Sequence, residues 1–119
     1  MSESLRIWRI YTRPDGKSAL APLDVPLDSS RHGLVSRLFK ATGVDLHRQS
    51  PGHSADWHPA PRRQYIINLD GPVSIQASDG ETRIIGAGEV LLVEDTSGKG
   101  HFSKAVEGKM RHSIFVPIE

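Results

Sequence analysis

The sequence predicts an all-β domain, built as a sandwich or a barrel. Six short segments between residues 64 and 116 combine branched, aromatic or alternating apolar residues, and most are separated by glycine-bearing turns. No long amphipathic helical pattern interrupts them. The connections are too short to carry helical crossovers between parallel strands.

Leu5 to Tyr11 is rich in aromatic and branched residues and predicts a strand, which Arg13-Pro14-Asp15-Gly16 closes as a turn. Ala19 to Leu27 carries Pro22 and Pro26, which argue against a central strand and for an extended edge segment or a loop. Asp28-Ser29-Ser30 either caps a helical turn or joins two strands, and Leu34 to Phe39 fits helix or strand equally. Val44 to Arg48 alternates and predicts a strand. After Pro51-Gly52 the pattern sharpens. Strands are expected at Gln64–Leu69, Pro72–Ala77, Thr82–Ile85, Glu89–Val93, His101–Val106 and Ser113–Val116. Asp70-Gly71, Asp79-Gly80-Glu81, Gly86-Ala87-Gly88, the loop Thr96 to Gly100 and Glu107-Gly108-Lys109 separate them.

With 119 residues the chain fits one domain and a small core. Its formal charge is +1 and it has no basic tract. Neither this balance nor an aromatic content of 6 % points to a nucleic-acid partner. The absence of cysteine excludes disulfides, thiol catalysis and thiolate metal sites. Apolar runs of four or five residues are too short for a membrane helix, and MSESLRIWRIYTRPDG lacks a signal-peptide core, so a cytoplasmic location is expected.

The spacing of glycines and histidines resembles the cupin superfamily over roughly residues 44 to 106. Gly52 is followed by five residues and His58, Gln64 stands at the usual glutamate, and Gly71 closes the first motif. Ala60 occupies the second histidine position. Gly88 opens the second motif, but Glu94, Thr96 and Lys99 stand at its proline, glycine and histidine, and His101 lies two residues late. WHPAPRRQY with EDTSGKGH resembles small stand-alone bacterial cupins of undefined activity. The resemblance implies one jelly-roll barrel (a double-stranded β-helix) spanning 1–119, with residues 1–43 packing outside it or against a second copy in a homodimer.

It also implies a small-molecule site inside the barrel. His58 and His101 would face inward as catalytic groups. With Gln64 they would hold a divalent transition metal such as zinc, iron, nickel or manganese, since neutral imidazole is a good ligand for such ions. Two imidazoles and an amide leave the metal's charge uncompensated, so a metal-free polar pocket is the alternative. The function expected is a small-molecule-binding cupin, acting as a metal-dependent enzyme on a small polar or anionic metabolite. A non-catalytic binding or sensing cupin, or a metal-free isomerase using histidine acid/base chemistry, is the rival.

Strand parity places Arg62, Gln64, Ile66 and Asn68 on one face and Arg63, Tyr65 and Ile67 on the other. An inward Arg62 would suit a carboxylate or phosphate, with Asn68 and Trp57 completing the ligand-binding set, while a rim arginine paired with Glu94 or Asp95 is the competing arrangement. His47 and His53 are further candidates, and Glu94 or Asp95 could fix the tautomer of His101. Gly98-Lys99-Gly100 is no phosphate loop, because the serine or threonine and the helix that must follow the lysine are missing.

Overall fold

The computed structural model describes residues 3–106 and 108–119. Among these, eleven strands follow one another: β1 (Glu3–Thr12), β2 (Ser18–Ser30), β3 (Gly33–Val35), β4 (Asp45–Gln49), β5 (Ser54–His58), β6 (Gln64–Asn68), β7 (Val73–Ala77), β8 (Thr82–Ile85), β9 (Val90–Glu94), β10 (His101–Ala105) and β11 (Arg111–Pro117). They form a seven-stranded sheet in the order β3-β2-β1-β9-β6-β11-β4 and a four-stranded sheet in the order β5-β10-β7-β8. The expected turn at 107–109 includes Glu107, which lies outside the described residues.

This overturns the cupin barrel. Neither sheet closes on itself, because the edge strands β3 and β4 do not pair with each other, nor do β5 and β8. A barrel requires every edge to find a partner. The motif glycines mark turns, and turns of this kind serve an open two-sheet protein equally well. The jelly-roll description falls with the barrel.

The N-terminal segment extends the large sheet. β1 pairs antiparallel with β2 along its whole length and parallel with β9 from Trp8 to Tyr11. Ile10 is fully buried in the core, and Trp8 packs against the same cluster under the guanidinium of Arg83. β2 meets β3 only at Asp28–Ser30, so Pro22 and Pro26 lie where the strand is an edge and a missing N–H costs no ladder bond.

The core lies between the sheets. Ile10, Leu20, Leu91 and Val93 come from the large sheet, and Val73, Ile75, Ala77 and Ile85 from the small one. Along β7 these side chains alternate with half-buried neighbours, while in β9 Leu92, between Leu91 and Val93, is buried on the other face of the sheet.

Candidate functional site

The two sheets do not fill the space between them. A cavity of about 430 Å³ remains, lined by residues of β4 to β11. β4 and β5 are edge strands of different sheets, and Asp45, His47, Gln49, His53 and Ala55 line the cavity along their unpaired seam.

Inward parity places Gln64, Ile66 and Asn68 of β6 on this cavity, joined by Leu91 and Val93 of β9 and by Arg111 and Phe115 of β11. Register then sorts them along its length. Gln64 lies opposite Val93 and Pro117, Ile66 opposite Leu91 and Phe115, and Asn68 opposite Ser113. Arg111 lies beyond Ser113, opposite Gln49. In the small sheet, His101 is paired with His58 on one side and Ala77 on the other.

At one end, His101 is 8 % exposed and its Nδ1 lies 2.6 Å from Oδ2 of Asp95, a fully buried carboxylate. A carboxylate only accepts, so the ring donates this proton from Nδ1, and the tautomer it selects carries its lone pair on Nε2. His58 sits beside it, with ring centroids 4.9 Å apart, and donates from Nδ1 to the carbonyl of Asp56 at 2.6 Å. Gly100 makes this approach possible. Its φ is +78°, and any side chain there would strike the His58 carbonyl and the Pro59 nitrogen. The Ser18 hydroxyl donates to the Gly100 carbonyl at 2.7 Å and pins the loop. Ala60, where a cupin's second histidine would stand, is buried and donates its N–H to the Asp95 carbonyl.

At the other end, Arg111 is 7 % exposed and lines the cavity. Among the described residues its guanidinium has no carboxylate partner and no hydrogen-bond acceptor. Burial pushes its pKa below the ordinary arginine value, yet arginine stays charged at any physiological pH. Around it, Gln49 Oε1, Asn68 Oδ1 and Ser113 Oγ are buried without a partner. Asn68 is held by its amide, which donates to the Ile85 carbonyl at 3.0 Å. Gly71 presses on the Arg111 backbone, where a Cβ would lie 3.0 Å from the Met110 carbonyl and 3.4 Å from Arg111 Cα.

The residues singled out from sequence divide. His58, Gln64, Asn68 and His101 reach the cavity, and His47 and His53 line its seam. Asp95, rather than Glu94, is the carboxylate that meets His101. Arg62 precedes β6, where parity no longer applies. It is exposed at the mouth, 3.4 Å from Asp45. Trp57 points away, against Phe102 and under the Lys99 ammonium. Arg111 was missed because the last strand was expected to begin at Ser113. Carrying its parity two residues back would have put Arg111 on the inner face with Ser113 and Phe115.

The metal-dependent cupin enzyme is not supported. Its barrel is absent, and among the described residues no three or more histidines or carboxylates are grouped to hold a metal ion. His58, Gln64 and His101 provide two imidazoles and one amide, and Asp95 is hydrogen-bonded to His101.

Among the described residues no helix is long and apolar enough to cross a membrane. No protein family matches the sequence, and no curated protein does. Solved structures share the fold at low identity. A conserved Streptococcus pyogenes protein of unknown function, SPY1581, is 20 % identical with a TM-score of 0.53, over 72 % of this chain and 69 % of its own. Neisseria meningitidis protein NMB1881 is 15 % identical with a TM-score of 0.52, over 66 % and 76 %. A candidate ethanolamine utilization protein Q of Salmonella typhimurium LT2 is 14 % identical with a TM-score of 0.51, over 97 % and 96 %. None of the three is described as a cupin. At these identities the likeness shows a shared open β architecture and leaves function to be argued from the cavity.

Proposed function

We propose that this chain binds a small carboxylate-bearing metabolite in the cavity between its sheets, with Arg111 as the anchor. One observation carries the reading: a buried guanidinium lines the cavity with no counter-charge among the described residues. An uncompensated buried charge costs several kcal/mol, of order 3–5 where a partner has been removed. A carboxylate offers the missing charge through two parallel hydrogen bonds to the guanidinium fork. With one unpaired cation at this end among the described residues, a singly charged head group balances the site better than a phosphate. The apolar flanks, Ile66, Ile75 and Leu91, would bury the organic body.

Titration calorimetry with a panel of short mono- and dicarboxylates, and with inorganic phosphate, tests this. Binding of a carboxylate that Arg111→Met abolishes and Arg111→Lys weakens supports it. A panel that gives no carboxylate binding overturns it, as does unchanged affinity in Arg111→Met.

As a second partner we infer another copy of the chain. Leu34 and Val35 of the edge strand β3 are 50 % and 43 % exposed, and Leu5 in the same sheet is 54 % exposed. An uncovered apolar edge invites strand pairing, and two-fold dimers are the commonest soluble assembly. Light scattering should give twice the chain mass, falling to one chain mass in Leu34→Glu. A monomeric unaltered protein removes this partner.

A further inference from the structure

The cavity has two unlike polar ends, and Arg111 occupies only one. Gly71 touches the Arg111 backbone, while His101 is paired with Ala77, six residues further along the same segment. That separation is roughly 20 Å of extended chain, at about 3.3 Å per residue, shortened by the side chains that reach inward. Between the ends the lining is apolar: Ile66, Leu91, Val73, Ile75 and Ile85.

The far end has acceptor character. His101 uses its Nδ1 proton on Asp95 and His58 uses its own on the Asp56 carbonyl. With Nδ1 engaged in this way, the tautomer that each bond selects presents Nε2 as a lone pair. Asp95 adds negative charge behind His101, and among the described residues no lysine or arginine pairs with it. The cavity is therefore polarised, with a fixed cation at one end and a carboxylate-backed imidazole pair at the other.

Resting on the anion reading above, we infer that the ligand is itself bipolar: a carboxylate on Arg111, a short apolar linker, and a terminal hydrogen-bond donor on the His101–His58 pair. Both ammonium and hydroxyl donate to Nε2. Asp95 favours the ammonium, because attraction between opposite charges is stronger away from bulk water. An ω-amino carboxylic acid is the class that satisfies both ends, and an ω-hydroxy acid satisfies the same hydrogen bonds without the charge. A plain fatty acid of equal length leaves the buried His101 without a donor for Nε2, which is costly for a buried acceptor.

The test uses calorimetry on the full chain with three series of increasing length: alkanoates, ω-hydroxyalkanoates and ω-aminoalkanoates. At the best length the amino acid should bind about tenfold or more tightly than the alkanoate, with the hydroxy acid between them. Asp95→Asn, which still accepts the His101 proton, should bring the amino acid down to the hydroxy acid. If that variant does not fold, the three series on the unaltered protein still decide. Alkanoates that bind through Arg111 with no gain from a terminal amine or hydroxyl at any length sink this inference and leave the anion reading standing. Failure of every carboxylate in all three series sinks the anion reading itself.

Discussion

The large sheet carries arginines on both faces, in opposite states. On its inner face Arg111 is buried and lacks an anion among the described residues. On its outer face Arg9 and Arg63 both grip Glu94, at 3.0 and 2.8 Å. The same strand feeds both: Leu91 and Val93 of β9 face the cavity, while Leu92 and Glu94 line an outer groove with Arg9, Arg63 and Tyr65. In that groove Arg9 and Arg63 share the Glu94 carboxylate, and burial raises the Tyr65 phenol above its ordinary pKa, which keeps it neutral. The difference separates structure from function. Arginines that are paired and half exposed hold the sheet together. One that is buried without a partner is a standing cost, and a site explains such a cost where packing does not.

Several substitutions would break or sharpen this contrast. The largest effect is expected at Arg111→Met. Carboxylate affinity should fall by about 100-fold or more, in line with the 2–5 kcal/mol lost when a buried charge pair is truncated. Thermal unfolding of the ligand-free protein should show no loss of stability, since an uncompensated charge has been removed. A destabilised Arg111→Met with unchanged binding would place Arg111 among the structural arginines.

Next comes Gly100→Ala. The positive φ and the collision with the His58 carbonyl should together cost about 1–3 kcal/mol in denaturant unfolding. Ligands that need the imidazole end should lose more affinity than those that need only Arg111. Neutral behaviour of this variant would mean that the loop does not set the His58–His101 approach.

Glu94→Gln is the reverse of the first test. It leaves two part-exposed arginines without their carboxylate, and after allowance for solvent screening it should destabilise by about 1 kcal/mol. Carboxylate affinity should stay within error, and a tenfold change would show that the two faces are coupled.

The smallest effect concerns pH. Asp70 accepts from the backbone N–H and the ring of His112, and these bonds hold its pKa below the ordinary aspartate value. A carboxyl depressed in the folded state stabilises above its unfolded pKa and loses that contribution as pH falls through the folded one. The stability gap between unaltered protein and Asp70→Asn should thus be present at neutral pH and close in acid. A gap independent of pH would rule the carboxylate charge out as its source.

Local pattern carried much of the framework. The strands from β6 to β11 sit close to the expected segments, because Val, Ile, Leu and Tyr alternate there between glycine turns. β5 was not legible: Ser54-Ala55-Asp56-Trp57-His58 has no apolar alternation, and it is a strand because β10 offers it an edge. The extended edge segment expected at Ala19–Leu27 is part of β2, whose full thirteen residues follow from pairing with β1 and, at its end, with β3. Parity located Gln64, Ile66 and Asn68, and of the two arrangements open for Arg62 the side chain takes the rim one, paired with Asp45 where the chain bends before the strand begins.

The sequence by itself determined the all-β character, the turns and the inward row of β6, since each depends on neighbours a few residues apart. Tertiary structure alone decided that the sheets stay open, that Asp95 meets His101 across six positions, and that Arg111 faces the cavity without a counter-ion among the described residues. Those facts rest on which distant edges find hydrogen-bond partners and which charges are left over when they do. Strand pairing over such separations is set by the packing of the whole chain, and no local spacing of glycines and histidines encodes it.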